Sequence, residues 1–210
     1  MRMEDRPKVI LVDDDADVRN SIKSLFTAVR LEMIGFDSAE SFMASNLSGQ
    51  AGCLLLDVRM PGMGGLKLLE FLQSVKDHPP VIIFTGYGDV PMVLQSLKSG
   101  AFAFLEKSAT HQQLLDCVWN ALAFDREMRT IKMERENVEM LLSRLSPREL
   151  EVMNLMVDGL ANKQMAGILG ISERTLEKHR KCILLKTEAR SVVELIKMLV
   201  KYQENIRHGL

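Results

Sequence analysis

The chain has 210 residues, 47% of them hydrophobic, and a net charge of −1. That length can bury a real core in one large or two modest domains. No apolar run approaches the roughly 20 residues of a membrane span and the N-terminus lacks an apolar leader segment, so a soluble cytoplasmic protein without a membrane partner is expected. Charge is uneven: 11 Lys and Arg stand against 14 Asp and Glu in residues 1–107, 5 against 6 in 108–145, and 11 against 8 in 146–210. The mildly basic rear permits nucleic-acid binding without requiring it. Cys53, Cys117 and Cys182 are scattered with no CxxC spacing, so buried, reduced thiols are expected rather than disulfides or a zinc site.

In chain order, Lys8-Val9-Ile10-Leu11-Val12 reads as a strand ending in Asp13, Asp14 and Asp15. A helix follows with Val18, Ile22, Leu25, Phe26 and Val29 on one face. Leu31 to Phe36 is a second strand, and Asp37 with Glu40 three residues later suggests a capping box. Cys53 to Leu56 reads as a strand buried on both faces. It ends in Asp57 and a turn shaped by Pro61, Gly62, Gly64 and Gly65. A helix through Leu66, Leu68, Leu69, Phe71, Leu72 and Val75 precedes a fourth strand, Val81 to Phe84, which ends at Thr85. Asp89 is the expected N-cap of the next helix, with Pro91 in its first turn. Phe102 to Leu105 is the fifth strand and ends near Lys107.

Five βα repeats with short connections predict an α/β fold with a five-stranded doubly wound parallel sheet. A parallel sheet brings Asp13/Asp14, Asp57, Thr85 and Lys107 to one edge, where open α/β sheets bind ligands. Three carboxylates within a few ångströms repel by several kcal/mol at an effective dielectric of about 20. A divalent cation with oxygen ligands relieves this, and Mg²⁺ suits one or two carboxylates together with waters and phosphate oxygens. Lys107 adds a positive charge and Thr85 a hydroxyl, which together cradle a phosphoryl group in line with Asp57 as nucleophile. Any one of these residues alone reads as a turn or cap; it is their joint occurrence at four strand ends that points to phosphoryl acceptance.

Residues 8–107 resemble the receiver domain of two-component response regulators. The resemblance is carried by Val12-Asp13-Asp14-Asp15, Leu56-Asp57-Val58-Arg59-Met60-Pro61-Gly62, Phe84-Thr85-Gly86 and Phe104-Leu105-Glu106-Lys107. The string Gly88-Asp89-Val90-Pro91-Met92 resembles the FixJ-like branch. This flavodoxin-like likeness implies that Asp57 accepts a phosphoryl group from a sensor histidine kinase. It also implies Asp14 as a direct Mg²⁺ ligand, Asp13 through water, the Arg59 carbonyl as a further ligand, and Thr85 with Phe104 as switch residues. The family usually has proline after the lysine. Ser108 stands there instead, and because a cis bond before a non-proline residue costs about 3 kcal/mol, a trans Lys107–Ser108 bond is expected.

After Thr110 the pattern Leu114, Leu115, Val118, Trp119, Leu122 marks the last receiver helix, and neither Gly nor Pro interrupts the chain before Pro147. Residues 125–144 are expected to prolong that helix as a linker between a receiver domain (1–124) and a third segment (145–210). Met128, Ile131, Val138, Leu141, Leu142 and Leu145 recur along it at three- and four-residue spacing, and a dimeric coiled coil is one use of that seam.

Ser146-Pro147-Arg148-Glu149 is a capping box with proline at the first helical position. Further helices are expected over Asn162–Leu169, closed by Gly170, over Glu173–Lys186, capped by Ser172, and after the capping box Ser191–Glu194. Helix, Gly-containing turn, helix is the helix-turn-helix arrangement, within an all-α, four-helix domain. Residues 172–187 hold five Lys and Arg (174, 178, 180, 181, 186) against two Glu. The segment resembles a LuxR-type DNA-binding domain through Leu145 to Val152, Gly159, Asn162-Lys163, Ala166, Leu169 to Ser172 and Thr175 to His179. The resemblance puts the third of these helices in the major groove of double-stranded DNA and pairs the fourth with its twin in a homodimer formed on phosphorylation. Arg174, Thr175, Glu177, Lys178 and Lys181 are the candidate DNA contacts, while His179 is expected to pack at the core rim. The whole reads as a phosphorylation-dependent transcriptional regulator rather than an enzyme. A rival reading as an aspartyl-phosphate phosphohydrolase lacks its usual second carboxylate, because Arg59 stands two residues after Asp57. The other rival makes the C-terminal domain a protein-docking module.

Overall fold

A computed structural model describes residues 8–75, 77–86, 88 and 90–207; Asp89, the expected cap of a helix, lies outside them. Two units divide the chain at residues 127 and 128. The first contains strands β1 (Lys8–Val12), β2 (Met33–Phe36), β3 (Gly52–Leu56), β4 (Val81–Thr85) and β5 (Ala103–Glu106). All neighbours pair in parallel, in the order β2-β1-β3-β4-β5. Helices α1 (Ala16–Ala28), α2 (Ala39–Ala44), α3 (Gly65–Ser74), α4 (Val90–Lys98) and the long α5 (His111–Ser143) alternate with the strands.

Side-chain alternation sorts the sheet into two cores. Ile10, Val12, Leu54, Leu56 and Ile83 pack with Phe42 of α2 and Leu68, Leu69 and Leu72 of α3. Val9, Leu11, Leu55, Ile82 and Phe84 pack on the other face with Ile22 and Phe26 of α1 and Leu114, Val118 and Leu122 of α5. All five residues of β3 are buried, which explains its unbroken apolar run. Where β1 and β3 lie side by side the chain order reverses, opening the crevice in which such folds place their ligands.

Several local expectations change. Ser38, not Asp37, caps α2 by accepting from Ser41 N–H, while Glu40 reaches away and accepts from Met63 N–H at 2.9 Å. Glu40 thus braces the turn after Asp57 instead of closing a capping box. Trp119 follows the apolar spacing of α5 yet is 49% exposed, because the core contacts on that helix are made by Leu114, Val118 and Leu122. Cys53 is buried and Cys117 half-buried, but Cys182 is exposed. Among the described residues no helix is long and apolar enough to cross a membrane.

The second unit comprises residues 128–143 of α5 with α6 (Pro147–Val157), α7 (Asn162–Leu169), α8 (Glu173–Lys186) and α9 (Val192–Arg207). Its core gathers Leu145, Val152, Met153, Met156, Met165, Leu176, Ile183 and Leu195. The stretch expected as a linker therefore does not stand apart, since most of it belongs to this unit. Val138 and Leu141 are buried, Leu142 packs on the unit's core, and Lys201 and Tyr202 of α9 reach Glu134 and Glu139. The later part of the apolar seam considered for a coiled coil is thus covered within this unit, while Met128 and Ile131 are half-buried and Met133 and Met140 are exposed. Ser146 and Glu149 form the expected capping box, and Gly170 takes the left-handed conformation (φ 65°) that ends α7. At α9 Ser191 accepts from Glu194 N–H, but Glu194 reaches past it to Arg190 N–H.

Candidate functional site

In the first unit the parallel ladder sets the site. The Asp57 N–H donates to Val12 O at 2.9 Å, which brings the ends of β1 and β3 together. Asp13 is fully buried, Asp57 is 5% exposed and Asp14 is exposed. One carboxylate oxygen from each lies within 4.8 Å of the others. The turn beyond Asp57 depends on glycine at two places. A Cβ on Gly65 would lie 2.0 Å from Asp57 O, and Gly62 has φ +73° and faces Glu40.

Lys107, from the end of β5, reaches into this group. Its Nζ lies 2.6 Å from Asp57 Oδ2 and 2.7 Å from Asp13 Oδ2. The Lys107 backbone N–H donates to Thr85 O at 2.8 Å, so the end of β4 positions the lysine. Cis peptide bonds are absent among the described residues, and Ser108 turns outward to donate to Glu106 Oε2. The trans Lys107–Ser108 bond therefore leaves the amine in contact with both carboxylates. Burial raises Asp13 above the ordinary carboxylate range, against the opposing hydrogen bond from Lys107. Burial works to lower Lys107 and is the largest single influence on it. Its hydrogen bonds and charge interactions with Asp13 and Asp57 together outweigh that and leave it raised.

The chemistry of this group is that of a cation site short of charge. Two unit charges about 4 Å apart interact by roughly 4 kcal/mol at an effective dielectric of 20, and one ammonium faces three carboxylates. Oxygen donors at this spacing fit a hard divalent cation. Arg59 sits on the turn with its N–H donating to Asp57 Oδ1 at 3.1 Å. Thr85 is buried at the end of β4, and the Phe104 ring of β5 lies so close to Gly88 that a Cβ there would come within 2.4 Å of it. The expected residues Asp13, Asp14, Asp57, Thr85 and Lys107 thus meet at one edge. Arg19 of α1 is an addition that the sequence did not mark, donating to the Asp13 carbonyl at 2.6 Å. The only hint was an arginine one helical turn after the Asp15 cap, a common pattern with no stated partner.

In the second unit Leu176 and Ile183 are fully buried and fix one face of α8. Arg174, Thr175, Glu177, Lys178 and Lys181 are exposed, and His179 is half-buried as expected. The five cations of this helix divide by function. Arg180 donates to Asn162 at the start of α7, and Lys186 Nζ lies 2.6 Å from Glu149 Oε2 on α6. Arg174, Lys178 and Lys181, at helical spacing, make no ion pair with any described residue, so the free basic face is narrower than the charge count implied. Thr175 shares a hydrogen bond with the Ser172 hydroxyl at the helix cap.

A parallel receiver-like sheet with an acidic pocket, carried on one chain with a helix-turn-helix unit, defines a class of signalling transcription factor. Residues 9–118 match the response regulator receiver domain family, and residues 143–199 match the bacterial regulatory proteins of the luxR family. Nodulation protein W of Bradyrhizobium diazoefficiens is 41% identical over 190 residues, covering 90% of this chain and 84% of that protein. The transcriptional regulatory protein FixJ of Azorhizobium caulinodans is 38% identical over 90% of both chains. Among solved structures, the response regulator StyR is 40% identical with a TM-score of 0.87, covering 94% of this chain and all of that one. The chain belongs to the two-component response regulators, in their FixJ-like branch. It is a DNA-binding transcriptional regulator and not an enzyme, which removes the phosphohydrolase reading.

Proposed function

We propose that Asp57 takes a phosphoryl group from the phosphohistidine of a sensor kinase and that the modification controls DNA binding through α8. The observation that carries this reading is the convergence of Asp13, Asp14, Asp57 and Lys107 at the β1/β3 switch point. An Asp57 carboxylate oxygen attacks phosphorus, the phosphorus–nitrogen bond breaks, and the imidazole leaves with its electron pair and is protonated. Asp13, Asp14, Asp57 and the Arg59 carbonyl would hold Mg²⁺, which when bound neutralises charge on the transferring phosphoryl oxygens. Lys107 exchanges its contact with Asp57 for a phosphoryl oxygen, and the Thr85 hydroxyl donates to another.

Thr85 and Phe104 act as the switch, since Thr85 ends β4 beside Lys107 and Phe104 lies in the adjoining β5, paired with Ile83. Phosphorylation favours a homodimer that binds a two-half-site DNA element in the cytoplasm. The exposed Val193, Val200 and Ile206 of α9 supply apolar surface for the pairing. Arg174, Thr175 and Lys181 contact phosphates, while Lys178 and Glu177 reach base edges, the latter accepting from cytosine. The test is phosphorylation with acetyl phosphate followed by intact-mass measurement. Wild type gains one phosphoryl group and Asp57→Asn gains none; modification of Asp57→Asn at the wild-type rate would refute the assignment.

A further inference from the structure

We propose that Arg19 is a positioning residue that holds the Asp13–Asp15 segment in the geometry needed to bind a divalent cation. The proposal rests on the reading of Asp13, Asp14 and Asp57 as the cation site.

The parallel ladder between β1 and β2 ends where the Asp13 N–H donates to Phe36 O at 3.0 Å. Beyond that point, among the described residues, no strand accepts or donates for Asp14 or Asp15, yet Asp13 is fully buried and its carbonyl needs a partner. The Arg19 guanidinium supplies one, with Nη1 donating to Asp13 O at 2.6 Å. The Arg19 backbone N–H also donates to Asp15 O at 3.1 Å. Within the segment Asp15 N–H donates to Asp13 Oδ1 at 3.0 Å, and Asp15 Oδ1 caps α1 by accepting from Asp17 and Val18. The Arg19 side chain therefore ties the Asp13 end, the ordinary helical backbone bond at position 19 ties the Asp15 end, and Asp14 lies between; only the first tie depends on the arginine.

The stem of Arg19 runs across β2. It passes over Gly35, whose Cβ position would lie 3.5 Å from Arg19 Cδ, an ordinary packing distance. The Arg19 guanidinium meets the Asp13 backbone carbonyl, whereas the Asp13 carboxyl is contacted by Lys107 and the Asp15 N–H. The Arg19 charge is felt at Asp37, held low first by the hydroxyls of Ser41 and Ser38 and to a lesser extent by Arg19. Arg19 works through the backbone, and its removal changes where the carboxylates point rather than how charged they are.

Residues outside the immediate ligand set that orient ligands typically alter metal affinity about 10- to 100-fold when removed. Titration calorimetry with Mg²⁺ alone should show Arg19→Ala binding about 10-fold or more weakly than wild type. With acetyl phosphate as donor, the Mg²⁺ concentration for half-maximal phosphorylation should rise by a similar factor while the rate at saturating Mg²⁺ changes less than about threefold. Arg19→Lys keeps the length and charge but not the fork, and should fall between the two. Mg²⁺ affinity of folded Arg19→Ala within twofold of wild type would overturn the proposal. So would a lowered saturating rate at unchanged half-saturation, or, should Arg19→Ala fail to fold, Arg19→Lys indistinguishable from wild type. Absence of Mg²⁺ binding by wild type itself would overturn the underlying reading and this inference together.

Discussion

At the scale of single residues, the buried edge of the sheet is held by one amine between two carboxylates. Removing Lys107 leaves the buried Asp13 carboxylate without its counter-charge. Breaking a fully buried pair costs about 3–5 kcal/mol; with a fifth of the lysine side chain exposed, about 2–3 kcal/mol is expected for Lys107→Ala. Urea unfolding in chelator should show that loss, and millimolar Mg²⁺ should stabilise the variant more than wild type, because the cation replaces the missing charge. Equal stability of the two proteins in chelator would show that the contact contributes nothing. The members of this pocket were legible in the sequence because each stands at or within two residues of the end of an apolar strand, and a parallel sheet gathers strand ends. Arg19 was not legible, since its partner is a backbone carbonyl and every residue has one. The divided roles of Arg174, Arg180 and Lys186 were equally hidden: charge marks a cation without saying whether its partner lies inside or outside the chain.

At the scale of elements, α8 is oriented by packing and by two polar ties. Leu176 has no exposed surface, and Leu176→Ala should destabilise the C-terminal unit by about 2–5 kcal/mol, read from its unfolding transition. Glu149 links α6 to α8: the hydrogen bond from Lys186, with the cap contacts of Ser146, holds its carboxyl below the usual glutamate range. A folded value below the unfolded one stabilises at pH above the unfolded value and is lost as pH falls through the folded one. The stability difference between wild type and Glu149→Gln should therefore be constant from pH 7 to about 5 and shrink below pH 4.5. A difference independent of pH down to 3 would exclude the charge as its source. Helix ends and turns here followed from caps and glycines, which are local. The use of the α5 seam did not follow, because periodicity shows that a face is apolar and says nothing of what covers it. Val138, Leu141 and Leu142 proved to be buried or packed within the second unit. Asp37 and Ser38 show the same limit on a smaller scale: both can cap, and Glu40 was drawn away to the turn at Met63.

At the scale of the whole molecule, two units of different chemistry share a chain, one able to store charge and one able to bind a polyanion. Association with DNA should weaken linearly in log K against log salt, with a slope near −0.9 per neutralised phosphate. Replacing Arg174 and Lys181 with alanine should flatten that slope by about one for each cation that contacts phosphate. Lys178→Ala should reduce discrimination between operator and unrelated DNA more than it changes the slope. A salt-independent association would contradict the assignment of these cations to DNA phosphates. The most direct measurement is DNA affinity, at fixed salt and with Mg²⁺, of wild type and Asp57→Asn, each with and without beryllofluoride. Beryllofluoride is expected to tighten binding by wild type and to leave Asp57→Asn at the unmodified level. Asp57→Asn binding as tightly as beryllofluoride-treated wild type, or wild type indifferent to beryllofluoride, would contradict control of DNA binding through Asp57.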